Sequence, residues 1–210
     1  WRLPRSPVPA SRGAWRLPVA GDLALRLWRW DAVRKADLID SFVSSEMPDG
    51  SPSVLEIGSG PGTLLETLRA RRYRVDGADV KNGAYRAGLE PVLYDGKVLP
   101  FEDDAFDLGL LFTVLHHVRE PETVLREALR VAQRLLVLED LFRNPAEEKI
   151  VHAADSLVNL EFWGHPHNNR TKDGWLDTFE ACGGRGRQVG SLWIAGVFEQ
   201  ALFDVRRASM

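Results

Sequence analysis

The chain has 210 residues, 44% hydrophobic and 27% charged, with 18 Gly and 12 Pro, a composition that fits one ordinary globular domain and excludes a disordered, collagen-like or fibrous chain. Its net charge of −3 conceals a division: residues 1–35 hold eight Lys/Arg against Asp22 and Asp31, net +6, so the rest sums to −9, which argues against a broad basic face for nucleic acid. Cys182 is the single cysteine, no apolar run nears the roughly 20 residues that cross a bilayer, and Pro4, Pro7 and Pro9 leave no signal-peptide core, so a soluble cytoplasmic protein without a transmembrane segment is expected.

The first residues read as an arm. The chain opens on Trp1 rather than Met, as a shortened or processed chain would, and Trp1-Arg2-Leu3-Pro4 recurs as Trp15-Arg16-Leu17-Pro18, with Trp28-Arg29-Trp30 following. Two copies do not make a repeat architecture. The arm is a candidate lid, self-association surface or membrane contact, or else packs on its own domain; its prolines deny residues 1–19 the continuous amphipathic helix that interfacial binding usually uses. From Gly21 to about Met47, Leu25, Trp28, Ala32, Ala36, Ile39, Phe42 and Val43 recur every three or four residues and predict a cap helix. Residues 1–46 therefore divide as arm and cap helix from a domain over 47–210.

The cluster Pro48-Asp49-Gly50-Ser51-Pro52 breaks the chain before the apolar run Val54–Ile57, read as a strand. A helix at Thr63–Leu68 and a strand at Tyr73–Val80 complete a strand-helix-strand unit. Strands are expected again at Pro91–Tyr94, Phe106–Phe112 and Arg134–Leu138, with a helix at Glu122–Gln133. This alternation predicts an α/β fold with a parallel sheet covered on both faces. Beyond Asp140 a polar stretch carries His152, Asp155, Phe162-Trp163 and His165-Pro166-His167; a helix at Lys172–Glu180 follows. The turn-like Gly183-Gly184-Arg185-Gly186 then leads to a hairpin of Gln188–Ile194 and Val197–Val205 around Ala195-Gly196.

Between the first strand and its helix lies Glu56-Ile57-Gly58-Ser59-Gly60-Pro61-Gly62-Thr63, where glycines let the backbone turn tightly and approach a ligand, beside a helix N-terminus able to hold an anion. Asp79 ends the second strand, where an open α/β sheet brings a carboxylate to ribose hydroxyls, and Asp95-Gly96 follows the third. An NAD(P)-dependent Rossmann oxidoreductase is the rival reading, but its third glycine would fall at Thr63.

The run Val54–Gly62, with Asp79, Asp95, Leu99-Pro100-Phe101, Ala105-Phe106-Asp107-Leu108 and Val114-Leu115-His116-His117-Val118, resembles the class I S-adenosylmethionine-dependent methyltransferases, nearest to the small-molecule type 11 group. The resemblance covers residues 53–140 in detail; residues 1–45 and 141–185 match no motif. It implies a Rossmann-like, seven-stranded, mostly parallel sheet with the last strand antiparallel and S-adenosyl-L-methionine across its carboxyl edge. By that resemblance Glu56, Gly58, Ser59, Gly60 and Gly62 lie against the methionine and ribose parts, Asp79 bonds the ribose, Val80 packs on adenine, Asp95 with Gly96 takes the adenine amino group, and Phe112 and Thr113 approach the methionine portion. A catalytically inactive methyltransferase-like partner protein is a third reading.

Displacement on a sulfonium methyl needs no protein nucleophile, and a base only where the acceptor proton must leave, as from a hydroxyl. His117, with His116 as its substitute, is the candidate base, and Asp140, beside Glu139, a carboxylate able to orient an imidazole. The pair favours O-methylation of a small molecule. No metal is expected: two His with Asp155 lack a ligand spacing, and Thr113 and His116 stand where magnesium-dependent catechol methyltransferases carry Asp. The His165–Arg170 segment is expected to help build the acceptor pocket.

Overall fold

The computed structural model describes residues 20–47, 50–144, 147, 168–194 and 198–208. The arm over 1–19, the hairpin turn at Ala195-Gly196, and His152, Asp155, Phe162, Trp163, His165 and His167 lie outside them. Seven strands form one sheet: β1 (Ser53–Ile57), β2 (Arg74–Asp79), β3 (Val92–Leu93), β4 (Leu108–Phe112), β5 (Arg134–Asp140), β6 (Gly184–Ile194) and β7 (Phe198–Arg207), in the order 3-2-1-4-5-7-6. The first five are parallel, and β7 runs antiparallel between β5 and β6. Helices α1 (Ala20–Glu46), α2 (Thr63–Ala70), α3 (Pro121–Val131) and α4 (Lys172–Ala181) cover the two faces.

Period-two alternation sorts each strand between two cores. Leu55, Ile57, Leu135, Val137, Ala201 and Phe203 join α3 and α4, where Leu125, Trp175 and Phe179 are buried. Val54, Leu110, Phe112, Leu136, Leu138 and Leu202 join α1 and α2, where Ala36, Ile39, Leu65 and Leu68 are buried. Burial on both faces explains why the β1, β4 and β5 sequences run almost continuously apolar.

Two readings from the sequence need correction. The expected turn at Gly183–Gly186 is mostly strand: Gly183, at φ +80°, ends α4, and β6 begins at Gly184. A Cβ on Gly186 would stand 2.6 Å from Phe179 Cδ2, and one on Gly184 2.9 Å from Val205 Cγ1, so these glycines permit close packing within a strand. Nor is the whole predicted face of α1 buried. Burial runs from Ala32 to Val43, whereas Trp28 is 36% exposed. The reason is length: 27 residues make a helix of about 40 Å, against roughly 23 Å for β5, so the helix overhangs the sheet.

The C-terminal end of α1 is fixed at the sheet's opposite edge. Arg134 sends Nε and Nη2 to the two oxygens of buried Asp204 at 2.6 and 2.8 Å, reaches Glu46 Oε2 at 2.9 Å, and lies over Phe42 with 4.4 Å to the ring centre. Arg187 and Arg206 complete the network. Arg134→Ala leaves Asp204 with only these two exposed arginines, and should destabilise the fold by about 2–3 kcal/mol, below the ~3–5 kcal/mol typical of an isolated buried pair; urea unfolding measures it, with Arg134→Met expected to lose less because it keeps the packing on Phe42.

Candidate active site

The β1–α2 loop is shaped by three residues in the left-handed region, Gly58 (φ +79°), Gly60 (+49°) and Gly62 (+80°). Gly58 N–H donates to Ala78 O at 2.7 Å and Gly62 N–H to Ser59 O at 2.8 Å, turning the chain back over the end of β2. A Cβ on Gly58 would lie 2.6 Å from Val114 Cγ2, whereas one on Gly60 would meet nothing within 4 Å. The loop is thus closed against β4 on one side and open at Gly60, as a ligand cradle requires.

Three carboxylates border it. Asp79 is buried, and its oxygens accept from Gly60 N–H at 2.9 Å and Lys81 N–H at 3.1 Å; each retains a lone pair for a further donor. Asp95 is exposed and its Oδ1 accepts from Lys97 and Val98 N–H, at 2.8 and 2.9 Å. These two bonds, Val98 first, hold its carboxyl below the usual carboxylate range. Val80 between them is 58% exposed, an apolar platform, and a Cβ on Gly96 would sit 3.4 Å from its Cγ1. Glu56 lies on the α1 side of the sheet and is only 6% exposed, with Oε2 and the nearby Ser59 Oγ both buried and unpartnered among the described residues. Burial pushes its carboxyl up to about 8, with Asp79 adding to the rise and Lys35 opposing it.

Beyond β4, Thr113 takes φ +57°, costly for a β-branched residue, and is held by its N–H on Leu138 O at 2.7 Å. A 3-10 turn, Leu115–His117, follows. Buried Glu139 organises it: Oε1 accepts from Val114 and Leu115 N–H at 3.0 and 2.7 Å, and Oε2 is hydrogen-bonded to His116 Nδ1. Of the two adjacent acids expected to orient an imidazole, Glu139 is the one hydrogen-bonded to His116. Alternation accounts for this, since Glu139 shares the α3 side with Leu135 and Val137, while Asp140 faces the other way and accepts from Gln200 Nε2 at 2.8 Å. His116 is 1% exposed; His117 is half-buried, its ring centre 4.0 Å from that of His116. Asn168 N–H, donating to His116 O, connects the segment after 167 to this turn.

The structure thus gathers the predicted Glu56, Gly58, Ser59, Gly60, Gly62, Asp79, Val80, Asp95, Gly96, Phe112, Thr113, His116, His117 and Asp140 along the carboxyl edge of β1–β5. Sequence reasoning passed over Lys35, whose Nζ reaches Thr113 Oγ1 at 3.2 Å and Asp31 Oδ2 at 2.8 Å. A lysine bordering the buried Ala32-Ala36-Ile39 face was the available signal. Two cavities lined by described residues lie elsewhere: one of about 340 Å³ between α1 and β6, the other beside Arg185 and Arg206. Their linings include none of the glycine loop or its acids. Among the described residues no group of three or more His, Cys, Asp or Glu could hold a metal ion, and no helix is long and apolar enough to cross a membrane.

Residues 55–135 match the family model described as a methyltransferase domain. The chain is 31% identical over 128 residues to demethylmenaquinone methyltransferase of Thermobifida fusca, covering 54% of this chain and 50% of that protein. It spans about half the length or less of the curated relatives it matches. Its fold resembles magnesium protoporphyrin IX methyltransferase of Synechocystis, solved with bound SAH (TM-score 0.59, 16% identity, 92% and 90% of the two chains), and mitomycin 7-O-methyltransferase (0.55, 22%, 76% and 50%).

Glu56 predicts a pH dependence. An acid whose folded pKa is raised binds its proton more tightly when folded, so its contribution is fully present below the unfolded value, near 4.5, and is lost as pH rises towards about 8. Glu56→Gln should remove this loss, so thermal unfolding midpoints of the ligand-free protein should fall less between pH 5 and 8.5 in the variant than in the wild type. Parallel pH profiles would refute the buried, unpartnered state of Glu56.

Proposed function

We propose that this chain, whose residues 55–135 match a methyltransferase-domain model and whose fold resembles that of such enzymes, transfers the methyl group of S-adenosyl-L-methionine to a hydroxyl of a small-molecule acceptor. The carrying observation is the Gly58–Gly62 cradle, open at Gly60 and bordered by Asp79, Asp95 and the unpartnered Oε2 of Glu56. In this reading Asp79 accepts from the ribose hydroxyls, Val80 packs on adenine, Asp95 beside Gly96 accepts from its amino group, and Glu56 with the loop, Phe112 and Thr113 receives the methionine portion. When bound, S-adenosylmethionine supplies an electrophilic sulfonium methyl, so the protein's contribution is positioning and exclusion of water.

His117 is the proposed base. It lies in the 3-10 turn that follows β4 and would take the hydroxyl proton at Nε2, its Nδ1 being buried. His116, fully buried on Glu139, is a positioning residue that holds the turn bearing His117. Residues 47–210 form the transferase domain and 1–46 its arm and cap helix, the arm acting as a lid or self-association surface. The lone thiol Cys182, buried and pushed up by burial, accords with a cytoplasmic location.

Asp79→Ala should weaken S-adenosylhomocysteine binding by about 1.5–3 kcal/mol, the scale of a lost charge-assisted hydrogen bond. Calorimetry that gives unchanged affinity would sink the assignment, and comparable NADH binding would favour the oxidoreductase. His117→Ala should lower turnover roughly 10²–10⁴-fold with cofactor affinity nearly unchanged, and wild-type rate should rise with pH as the imidazole loses its proton. His116→Ala, by contrast, should show first as lost stability, because Glu139 would be left buried with one fewer partner. A flat pH profile with full activity in the His117 variant would move the acceptor from oxygen to a neutral amine or carbon.

A further inference from the structure

We infer that Lys35 of α1 binds the α-carboxylate at the methionine end of the cofactor, so that the cap helix selects ligands with an intact amino-acid tail. The inference rests on the S-adenosylmethionine reading and adds a residue and a selectivity that the glycine loop does not supply. Three observations carry it.

The first is position. Lys35 borders the packed Ala32–Ala36 stretch of α1 and reaches the residue after β4, where Nζ donates to Thr113 Oγ1 at 3.2 Å. Thr113 Oγ1 in turn donates to Phe112 O at 2.6 Å, so this hydroxyl is already committed and Lys35 contacts the residues proposed to meet the methionine portion. The second is an unfilled valence. An ammonium has three N–H donors; two have partners among the described residues, Thr113 and Asp31 Oδ2. The side chain is nevertheless only 13% exposed, and a largely buried donor gains from a partner.

The third is the pairing of charge types. Alternation along β1 places Glu56 with Val54 on the α1 side of the sheet, where it is 6% exposed with Oε2 unpartnered. Lys35 is near enough for its charge to act on that carboxyl. A buried acid and a half-buried cation at one end of the cradle, not directly bonded to each other, present the complement of a zwitterion: ammonium towards Glu56, carboxylate towards Lys35. Asp31 screens Lys35 meanwhile. The competing account is that Lys35 only braces the left-handed Thr113 turn.

Ligand truncation separates the two. 5′-Methylthioadenosine shares the adenosine and thioether of S-adenosylhomocysteine but lacks the amino-acid tail. By calorimetry on the whole chain, Lys35→Met should weaken S-adenosylhomocysteine about 10- to 100-fold, as for a lost charge-assisted bond, and methylthioadenosine less than about twofold. Lys35→Arg should retain most of the S-adenosylhomocysteine affinity, and Lys35→Gln serves the same comparison if the Met variant does not fold. Equal weakening of both ligands, or of neither, overturns the inference in favour of a brace. A wild-type chain that binds methylthioadenosine and S-adenosylhomocysteine equally also overturns it while leaving the adenosine site standing; one that binds neither overturns the cofactor reading as well.

Discussion

A missing Cβ at Gly58 sets the geometry of the carboxyl edge. Any side chain there would press within 2.6 Å of Val114, so only glycine lets the β1 and β4 loops close on one another while Gly58 N–H reaches Ala78 on β2. From Val114 the linkage continues: its N–H and that of Leu115 end on Glu139, and Thr113 N–H ends on Leu138. Four adjacent strands, β2, β1, β4 and β5, are thereby tied together at the ends that bear the site.

Two buried glutamates at this edge show how environment divides identical side chains. Glu139 accepts from two backbone N–H groups and an imidazole, which satisfies it and makes it a structural clamp. Glu56 is also buried, yet one oxygen has no partner among the described residues and burial raises its carboxyl to about 8. A buried acid left short of donors costs stability, and such cost is ordinarily tolerated where a ligand makes use of it.

Helix α1 joins the two ends of the molecule. Its C-terminal turn is held by the Arg134, Asp204 and Glu46 network at the amino edge of the sheet, its second half is packed through Ala36, Ile39 and Phe42 and places Lys35 on Thr113, and its first half carries Arg29 to Tyr85 and Glu66. A single rigid element can therefore carry a charge to the site with the precision of the core that anchors it.

What the sequence determined by itself was whatever is encoded locally. Strand and helix alternation, the glycine loop, and acids at the ends of predicted strands depend on nearest neighbours and on periods of two and 3.6 residues, and the resemblance to methyltransferases rests on those same stretches. What only the tertiary structure decided was which neighbours meet. Glu139 meets His116 while Asp140 meets Gln200 because adjacent strand residues point to opposite faces, and the phase of β5 is fixed only once it pairs with β4 and β7. Gly184 and Gly186 read as a turn until Phe179 and Val205 are packed against them. Lys35 reads as one more charge on an amphipathic helix until the fold brings it to Thr113, 78 positions away, because contacts across such a separation are set by how the layers pack and leave no pattern in the local sequence.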